Sequence, residues 1–318
     1  MSRKSRREIS FAQQDPALAL ASLFRPVMRG RRPGGLTVHT QFDGVKLTWM
    51  LWKALDSRDQ SVLLAAVGMA GLHPDRTISQ EAPGSFGQQL WLDLEPTENA
   101  EFDRAVVVTT SRWALIQASD IDDNSRNTKK EGLLEACLDR LAMVGVRAED
   151  ERGYKWHMKL LSWVEAPDGR IHIALNSRFA EAFGGQHIRV SLEERRQFRG
   201  LDKEKAQVAH AWLSAWMRPG ETRTIRVDVI AEKIWGPQKP NESSTRSRRG
   251  RARQALEMIG QLEGWNMQFE GRGVELRATI KRPSIIEHEP KRLKPRATAA
   301  DGPGSDRPRT NNRSNGDV

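Results

Sequence analysis

The segment from Ser243 to Leu256 contains five arginines and no acidic residue, and it is the strongest chemical signal in this chain. A guanidinium donates hydrogen bonds in parallel to guanine O6 and N7, or to a phosphate. The spacing of Arg246, Arg249 and Arg253 places them on one face of a helix. We therefore predict a DNA contact through these side chains: Arg246, Arg248, Arg249, Arg251, Arg253 and Gln254. A solvated basic helix without a ligand is the alternative interpretation.

This basic segment has the pattern of a helix with one buried face. Serine and threonine at 243–245 are typical N-cap residues and predict where the helix begins. Ala252, Leu256 and Ile259 recur at helical spacing and predict the buried stripe. Gly264 is predicted to end the helix.

The elements predicted around this helix are those of a winged helix-turn-helix. A short strand at 224–227 precedes a helix that Asp228 is expected to cap. After the basic helix, alternating residues at 265–269 and 274–280 predict a hairpin with Arg272 at its tip. In such a domain the second helix enters the major groove and the hairpin contacts the flanking backbone.

The first half of the chain predicts the same order of elements. Thr110 is expected to cap a short helix, and Thr128 with Glu131 has capping-box spacing at the start of a second helix. This second helix is predicted to end at Gly145, and a hairpin follows with its tip at 150–153. An offset of 118 positions relates the two halves, as it relates Thr110 to Asp228. The basic residues of this first module are fewer and are expected to contact mainly phosphates: Arg126, Lys129, Lys130 and Arg152.

Turn signals and periodicity predict further elements. Asp-Gly pairs at 43–44 and 168–169 are typical of two-residue hairpin turns. Amphipathic spacing predicts helices, and alternation predicts strands. The predicted helices are Ser57 to Met69 and Asp202 to Met217, and the predicted strands include Gln89 to Leu94 and Tyr154 to Val164.

Composition restricts the class of protein. The chain has 318 residues, a formal net charge of +10 and a pI near 10.0, which favours a polyanionic partner. Its apolar runs are shorter than the roughly 18 residues that span a bilayer, and the basic start lacks the apolar core of a signal peptide. We expect a cytoplasmic protein without membrane contact. The single cysteine, Cys137, is expected to be a core residue.

Several enzymatic chemistries have no supporting motif. The sequence contains neither a P-loop nor a His-Glu-x-x-His zinc pattern, and we predict no catalytic residue, cofactor or metal. The only tyrosine, Tyr154, lies beside a predicted hairpin tip, where a structural or phosphate-contacting role is favoured over that of a nucleophile. Most of the ten tryptophans are expected in the core, and stacking on unpaired bases is the alternative.

These elements predict an α+β protein with two winged helix-turn-helix domains in tandem. The predicted divisions are a basic disordered N-terminus at 1–13, an N-terminal domain at 14–190 and a C-terminal DNA-binding domain at 191–280. Five prolines punctuate the polar segment at 281–318, which predicts a disordered basic tail.

The chain resembles the iteron-binding replication initiator protein C of IncQ-type plasmids. The resemblance extends roughly from Gln14 to Leu276 through many short matches in the same order, none of them specific alone. These matches are Asp15-Pro16, Leu23-Phe24-Arg25, Met69-Ala70-Gly71, Gln89-Leu90, Leu94-Glu95-Pro96, Leu160-Leu161-Ser162, Asp168-Gly169-Arg170, Ala174-Leu175-Asn176, Gly185-Gln186-His187-Ile188-Arg189, Trp216, Trp235 and Arg248 to Leu256.

This resemblance implies a non-enzymatic initiator that binds directly repeated iterons in double-stranded DNA at a plasmid origin. It also implies melting of adjacent A·T-rich DNA, recruitment of a plasmid-encoded helicase and primase, and a homodimer as a further form. Base readout then belongs to residues 246–254, and residues 126–130 contact the other end of the iteron. Gly250 departs from an ordinary helix at a cost of about 1 kcal/mol relative to alanine, which favours local bending or close approach of another backbone. A dimeric repressor that binds a palindromic operator is the alternative function.

Overall fold

The structure is a computed structural model that describes residues 9–27, 32–72, 77–78, 85–95, 105–121, 131–176, 188–236 and 241–284. The elements given below belong to one compact unit, Met1–Ser284. Several predictions fall outside the described residues: Arg126, Lys129 and Lys130, the capping residue Thr128, the N-terminus up to residue 8 and the tail from residue 285.

The described residues form nine α-helices, which we number in chain order. Those predicted at 57–69 and 202–217 and the basic helix are present. The helices are α1 (Pro16–Leu20), α2 (Ser57–Ala70), α3 (Ser85–Asp93), α4 (Arg112–Ser119), α5 (Glu131–Ala142), α6 (Leu192–Gln197), α7 (Lys203–Trp216), α8 (Val227–Trp235) and α9 (Glu242–Ile259).

The strands of the same ranges pair in four antiparallel sheets, so the predicted α+β class is confirmed. In spatial order the sheets are β1-β10, β2-β3-β6-β7, β4-β5-β9-β8 and β11-β13-β12. The strands are β1 (Phe11–Gln14), β2 (Gly34–Phe42), β3 (Val45–Lys53), β4 (Thr77–Ile78), β5 (Ala105–Ser111), β6 (Val144–Glu149), β7 (Lys155–Lys159), β8 (Leu161–Glu165), β9 (Arg170–Leu175), β10 (Ile188–Ser191), β11 (Thr222–Arg226), β12 (Asn266–Glu270) and β13 (Arg277–Lys281).

Both predicted Asp-Gly hairpins are present. Asp43 and Gly44 have φ angles of 49° and 76° and join β2 to β3, because a two-residue turn of this hand needs two left-handed residues. Gly169, with φ 75°, lies in the turn that joins β8 to β9. This turn is longer than the predicted two residues, because Ala166 N–H donates to Arg170 O at 2.8 Å and residues 167–169 form the turn. These turns set the register in two different sheets.

The predicted strand Gln89 to Leu94 is wrong, because residues up to Asp93 belong to helix α3. Leu90, Trp91 and Leu94 are buried, and their spacing places them on one side of a helix. A short apolar run of this kind does not distinguish a strand from a buried helix. The tertiary packing of α3 against β8 and β9 decides the outcome.

The predicted strand Tyr154 to Val164 is two strands in two different sheets. Strand β7 pairs with β6, and β8 pairs with β9. The chain crosses between the sheets at Leu160, whose N–H donates to Val144 O at 2.8 Å and whose carbonyl accepts from Asn176 N at 3.2 Å. The alternation of residues therefore predicts the extended conformation correctly, but it does not show that the chain changes its partner strand at Leu160.

Two predicted helix boundaries in the first half are also wrong. Ser111, and not Thr110, caps α4, because its Oγ accepts from Ala114 N at 3.2 Å. Helix α5 ends at Ala142, and Gly145, predicted to stop the helix, lies inside strand β6. Cys137 is buried in α5 as predicted, and burial raises the pKa of its thiol.

Helix α7 lies between two hydrophobic clusters and contributes to both. Val208 and Ala211 pack in the larger, N-terminal cluster, whereas Ala209 and Leu213 pack in the smaller, C-terminal one. A helix that is apolar all round is expected in such a buried position. The two halves of the unit are thus joined by a shared helix around residue 210.

Buried arginines fasten this joint. Arg195 of α6 donates to Gln207 O of α7 at 2.5 Å and to Ser61 Oγ of α2 at 3.3 Å. Arg282, directly after β13, donates to Ser214 O and to Met217 O at 2.5 Å each. The disordered tail was predicted to begin at residue 281, but Lys281 pairs in the sheet and Arg282 is buried. Ordered structure therefore continues past the predicted boundary.

Candidate nucleic-acid interface

The C-terminal module presents α9 as an exposed basic helix. Strand β11 runs directly into α8, α9 packs across α8, and β12 and β13 pair with β11 in one sheet. The predicted stripe of Ala252, Leu256 and Ile259 is fully buried, together with Ala255. The opposite face of α9 is left to the solvent.

Helix α9 begins one turn earlier than predicted. Asn241 is the N-cap, and its Oδ1 accepts from Ser244 N at 2.8 Å. Serine and threonine at 243–245, predicted as caps, are inside the helix. Asparagine is as good a cap as serine. The helix ends at Ile259, before the predicted stop at Gly264.

Arg249 forms an ion pair within the protein. Its Nε and Nη2 donate to the two carboxylate oxygens of Asp228 at 2.7 and 2.8 Å, which fastens α9 to α8. These hydrogen bonds raise the pKa of the Arg249 guanidinium above its ordinary value. Asp228 was predicted as the cap of α8, but it makes no cap hydrogen bond and serves this clamp instead.

Two arginines of α9 are free to meet a ligand. Arg246 and Arg251 are exposed, and within the described ranges neither has an ion pair or hydrogen-bond partner. Gln254 is exposed beside them. Each guanidinium can therefore donate to an incoming base edge or phosphate without first breaking a contact in the protein.

Aromatic rings orient two other arginines. The Arg253 guanidinium lies 5.1 Å from the centre of the Phe269 ring on β12, and its Nε donates to Glu257 at 2.8 Å. The Arg248 guanidinium lies 6.0 Å from the centre of the Trp235 ring at the end of α8. Cation–π contacts of this kind restrict a long side chain without neutralising its charge. The α9 sequence alone did not reveal them, because both rings come from other elements.

Gly250 lies at the middle of the outward face. A helix turns about 100° per residue, so residue 250 points roughly opposite the stripe formed by Ala252, Ala255 and Ile259. A Cβ at this position would have no protein atom within 4 Å. The protein itself thus gives no packing reason for a glycine here.

The hairpin tips carry the remaining predicted residues. Arg272 is exposed between β12 and β13, where Gly271 and Gly273 have φ angles of 80° and 58°. Arg152 is exposed between β6 and β7, and its N–H donates to Asp150 Oδ1 at 3.0 Å. Tyr154 is exposed at the same tip.

Comparison with known families decides the class of protein. The family model for replication protein C (RepC) matches residues 6–283. The chain belongs to the RepC family. The resemblance seen in the sequence is therefore confirmed at the level of this family.

Solved structures that are similar to this chain include domains 2 and 3 of RctB. A crystal structure of their selenomethionine derivatives has a TM-score of 0.50 at 10% identity, over 84% of this chain and 96% of that chain. A second crystal structure of RctB domains 2-3 has a TM-score of 0.46 at 9% identity, over 83% and 96% of the two chains. A search among curated protein sequences found no match.

Two further findings concern membrane-spanning helices and metal sites. Among its described helices, none is long and apolar enough to cross a membrane. Within the described ranges, no group of three or more histidine, cysteine or acidic side chains could hold a metal ion.

Proposed function

We propose that this chain is a plasmid replication initiator that binds directly repeated double-stranded DNA, the iterons of an origin. In this proposal α8, α9 and the sheet β11-β13-β12 form a winged helix, with α9 in the major groove and Arg272 on the flanking backbone. The observation that carries it is the outward face of α9. There Arg246 and Arg251 are exposed and unpaired among the described residues, whereas Arg249 is held by Asp228.

The N-terminal module is proposed as a second winged helix. Helices α4 and α5 and the hairpin β6–β7 repeat the order of α8, α9 and β12–β13. Arg152 at the hairpin tip, with Arg126, Lys129 and Lys130, would contact phosphates at the other end of the repeat. Fewer cations at this end mean that base readout rests mainly on α9.

The remaining steps of initiation are part of the same proposal. Binding energy from several repeats would melt adjacent A·T-rich DNA, after which a plasmid-encoded helicase and primase are recruited in the cytoplasm. A homodimer is the proposed second form of the protein. Neither catalysis nor a cofactor is needed for these roles.

The decisive experiment is a DNase footprint over the replicon that encodes the chain. It compares the wild type with an Arg246→Ala, Arg251→Ala variant at two salt concentrations. Arg170→Ala is the matched control, because this arginine is also exposed and lies on β9 outside the α9 module. We expect tandem direct repeats to be protected by the wild type and the control, and to be lost in the double variant.

The size and type of loss identify the role of each arginine. A base-reading arginine contributes about 1 to 3 kcal/mol of sequence discrimination, roughly 5- to 150-fold in affinity. Equal weakening on all sequences, with a shallower salt dependence, would assign these side chains to phosphates. Protection of a single palindrome would replace the initiator by a repressor, and unchanged footprints would overturn the role of α9.

A further inference from the structure

The sheet β2-β3-β6-β7 has one face in the core and one face in solvent. Along β3, Leu47, Trp49 and Leu51 are buried, whereas the alternating residues point away from the core. Among these outward residues Lys46 and Trp52 are exposed. The other side of the sheet is therefore a platform rather than a packed layer.

The pairing register arranges the outward side chains in rows across the four strands. Polar and basic side chains dominate the rows, and large apolar ones are few. The rows are Thr37, Met50, Gly145 and Lys159; His39, Thr48, Arg147 and His157; and Gln41, Lys46, Glu149 and Lys155.

Trp52 stands at the end of this platform with its ring in solvent. Its side chain is 69% exposed, whereas Trp49 on the same strand is 1% exposed. The register places Gly35 opposite Trp52, so no side chain on β2 covers the indole. Two hollows of about 340 and 600 Å³ share Gly35 and Trp52 in their walls. A flat ring could thus enter beside the indole.

Basic side chains line both hollows beside this ring. Lys159 lines one hollow and pairs there with Glu95 at 2.5 Å. Arg32, Arg140 and Lys53 line the other hollow; the two arginines pair with the buried Asp59, whereas Lys53 makes no ion pair within the described residues. The unpaired positive charge at this end of the sheet favours an anionic ligand.

Positive charge also extends along the rows away from Trp52. Lys46 and Arg147 are exposed, and within the described residues neither makes an ion pair. Glu149 is matched by Lys155 at 3.6 Å. Phosphates placed along the rows would therefore meet unpaired cations.

We propose that this sheet face binds single-stranded nucleic acid, with a base stacked on Trp52 and the backbone phosphates along Lys46 and Arg147. An unpaired strand combines accessible base faces with regularly spaced anions, and sheet platforms with an exposed aromatic ring suit both. A duplex hides its base faces. A second copy of the chain would bring the same positive face against itself, which charge repulsion opposes.

The site is distinct from the α9 surface and does not require that α9 reads repeats. If the proposed initiator function is correct, the face is suited to hold one strand of the melted origin. The two surfaces can be tested separately on the same full-length protein.

The test is the fluorescence anisotropy of a labelled 20-nucleotide oligothymidylate titrated with full-length protein. Variants are Trp52→Ala, Trp52→Phe and Arg147→Glu, and the control is Trp113→Ala, another exposed tryptophan. Stacking of one base accounts for roughly a fivefold or larger loss on alanine substitution. We expect that loss for Trp52→Ala, a smaller one for Trp52→Phe, a clear loss for Arg147→Glu and none for the control.

Three outcomes would overturn the site. Equal oligothymidylate affinity in the wild type and Trp52→Ala excludes stacking at this residue, whatever the duplex footprint shows. Loss of binding in Trp113→Ala to the same extent would show an unspecific effect. A change in sedimentation of Trp52→Ala without a change in oligonucleotide affinity would assign the face to a protein partner. Retained duplex binding by Trp52→Ala shows that the variant is folded.

Discussion

Helices α5 and α9 hold the same place in the two modules, yet the ion pair that fastens each to the preceding helix has opposite polarity. In the N-terminal module Arg112 of α4 donates to Glu135 of α5 at 2.7 Å. In the C-terminal module Asp228 of α8 accepts from Arg249 of α9. The acid thus lies on α5 in the N-terminal module and on α8 in the C-terminal module, so α9 contributes the arginine of its pair.

The sheets of the two modules differ in a related way. Strand β11 pairs with β13, so the C-terminal hairpin closes a sheet within its own module. Strand β5, which runs into α4, pairs with β9 instead, and the hairpin β6–β7 joins β3. The N-terminal hairpin is thereby part of a wider scaffold, whereas the C-terminal one forms a small independent wing.

Helix α5 also makes an ion pair with helix α2. Arg140 Nε and Nη2 donate to Asp59 Oδ1 of α2 at 3.0 and 2.7 Å, and Arg32 also pairs with this carboxylate. Asp59 is fully buried, whereas the side chain of Asp228 is 28% exposed. A buried ion pair therefore holds α5 in the protein, whereas the ion pair of α9 with Asp228 is partly exposed.

The largest expected effect separates these two carboxylates. Asp59→Ala leaves Arg140 without its buried partner and should lower the free energy of unfolding by about 3 to 5 kcal/mol. Asp228→Ala removes a partly exposed pair and should cost about 1 kcal/mol or less. Urea denaturation followed by circular dichroism measures both.

The same pair of variants is informative for DNA affinity. Asp228→Ala frees Arg249 and should alter repeat binding while the protein stays folded. If Asp228→Ala proves as destabilising as Asp59→Ala, the ion pair of α9 matters as much for stability as that of α5, and the contrast between the two modules is wrong.

The sequence was sufficient for elements whose signals are local. The Asp-Gly hairpins and the buried stripe of α9 follow from spacing within about 20 residues. It was insufficient where a distant partner decides, as at Leu160, where one alternating run changes sheets, and at Leu90, where tertiary packing makes a helix. The alternation of residues does not determine which strands pair with one another.

The candidate site shows the same division. Composition and spacing predict that the arginines of α9 contact DNA. They also predict Asp228 as a helix cap and do not show that it pairs with Arg249. Nothing near Trp235 or Phe269 in the sequence indicates that their rings lie against Arg248 and Arg253. Which guanidiniums are free is a property of the fold: Arg249 is held by Asp228, whereas Arg246 and Arg251 are exposed and unpaired among the described residues.

Helices α2 and α7 bury different titratable groups, which predicts an intermediate, pH-dependent effect. Asp59 lies in α2, and His210 lies fully buried in α7. Burial lowers the pKa of His210 below its ordinary value of 6.5, against the opposing effect of Glu194. His210 Nε2 lies 2.6 Å from Glu194 Oε2, and Nδ1 has no partner among the described residues, so a second N–H would be unsatisfied.

The sign of the pH dependence follows from this lowered pKa. The folded state binds fewer protons than the unfolded state, so the contribution of His210 is complete above pH 6.5 and is lost as the pH falls below it. Chemical denaturation between pH 7 and pH 5 should show falling stability in the wild type and a flatter profile in His210→Gln, which keeps a donor for Glu194. An identical slope in both proteins would mean that His210 does not titrate between the two states.

The smallest expected effect concerns two glycines at equivalent positions of helices α5 and α9. Gly132 in α5 and Gly250 in α9 are 118 residues apart, both are exposed, and a Cβ at either would have no protein atom within 4 Å. Alanine at Gly250 should therefore raise the free energy of unfolding by about 0.5 to 1 kcal/mol, and alanine at Gly132, near the helix start, by less.

DNA affinity should respond differently to these two stabilising changes. If α9 lies in the groove with its backbone close to DNA, the methyl group of Gly250→Ala collides with the ligand and weakens repeat binding although the fold is firmer. Gly132→Ala should leave affinity unchanged, because α5 is attached within the protein and presents fewer cations. Titration of a labelled repeat with both variants measures this. Unchanged affinity in Gly250→Ala would mean that DNA lies farther from the middle of α9, with contact confined to the long arginine side chains.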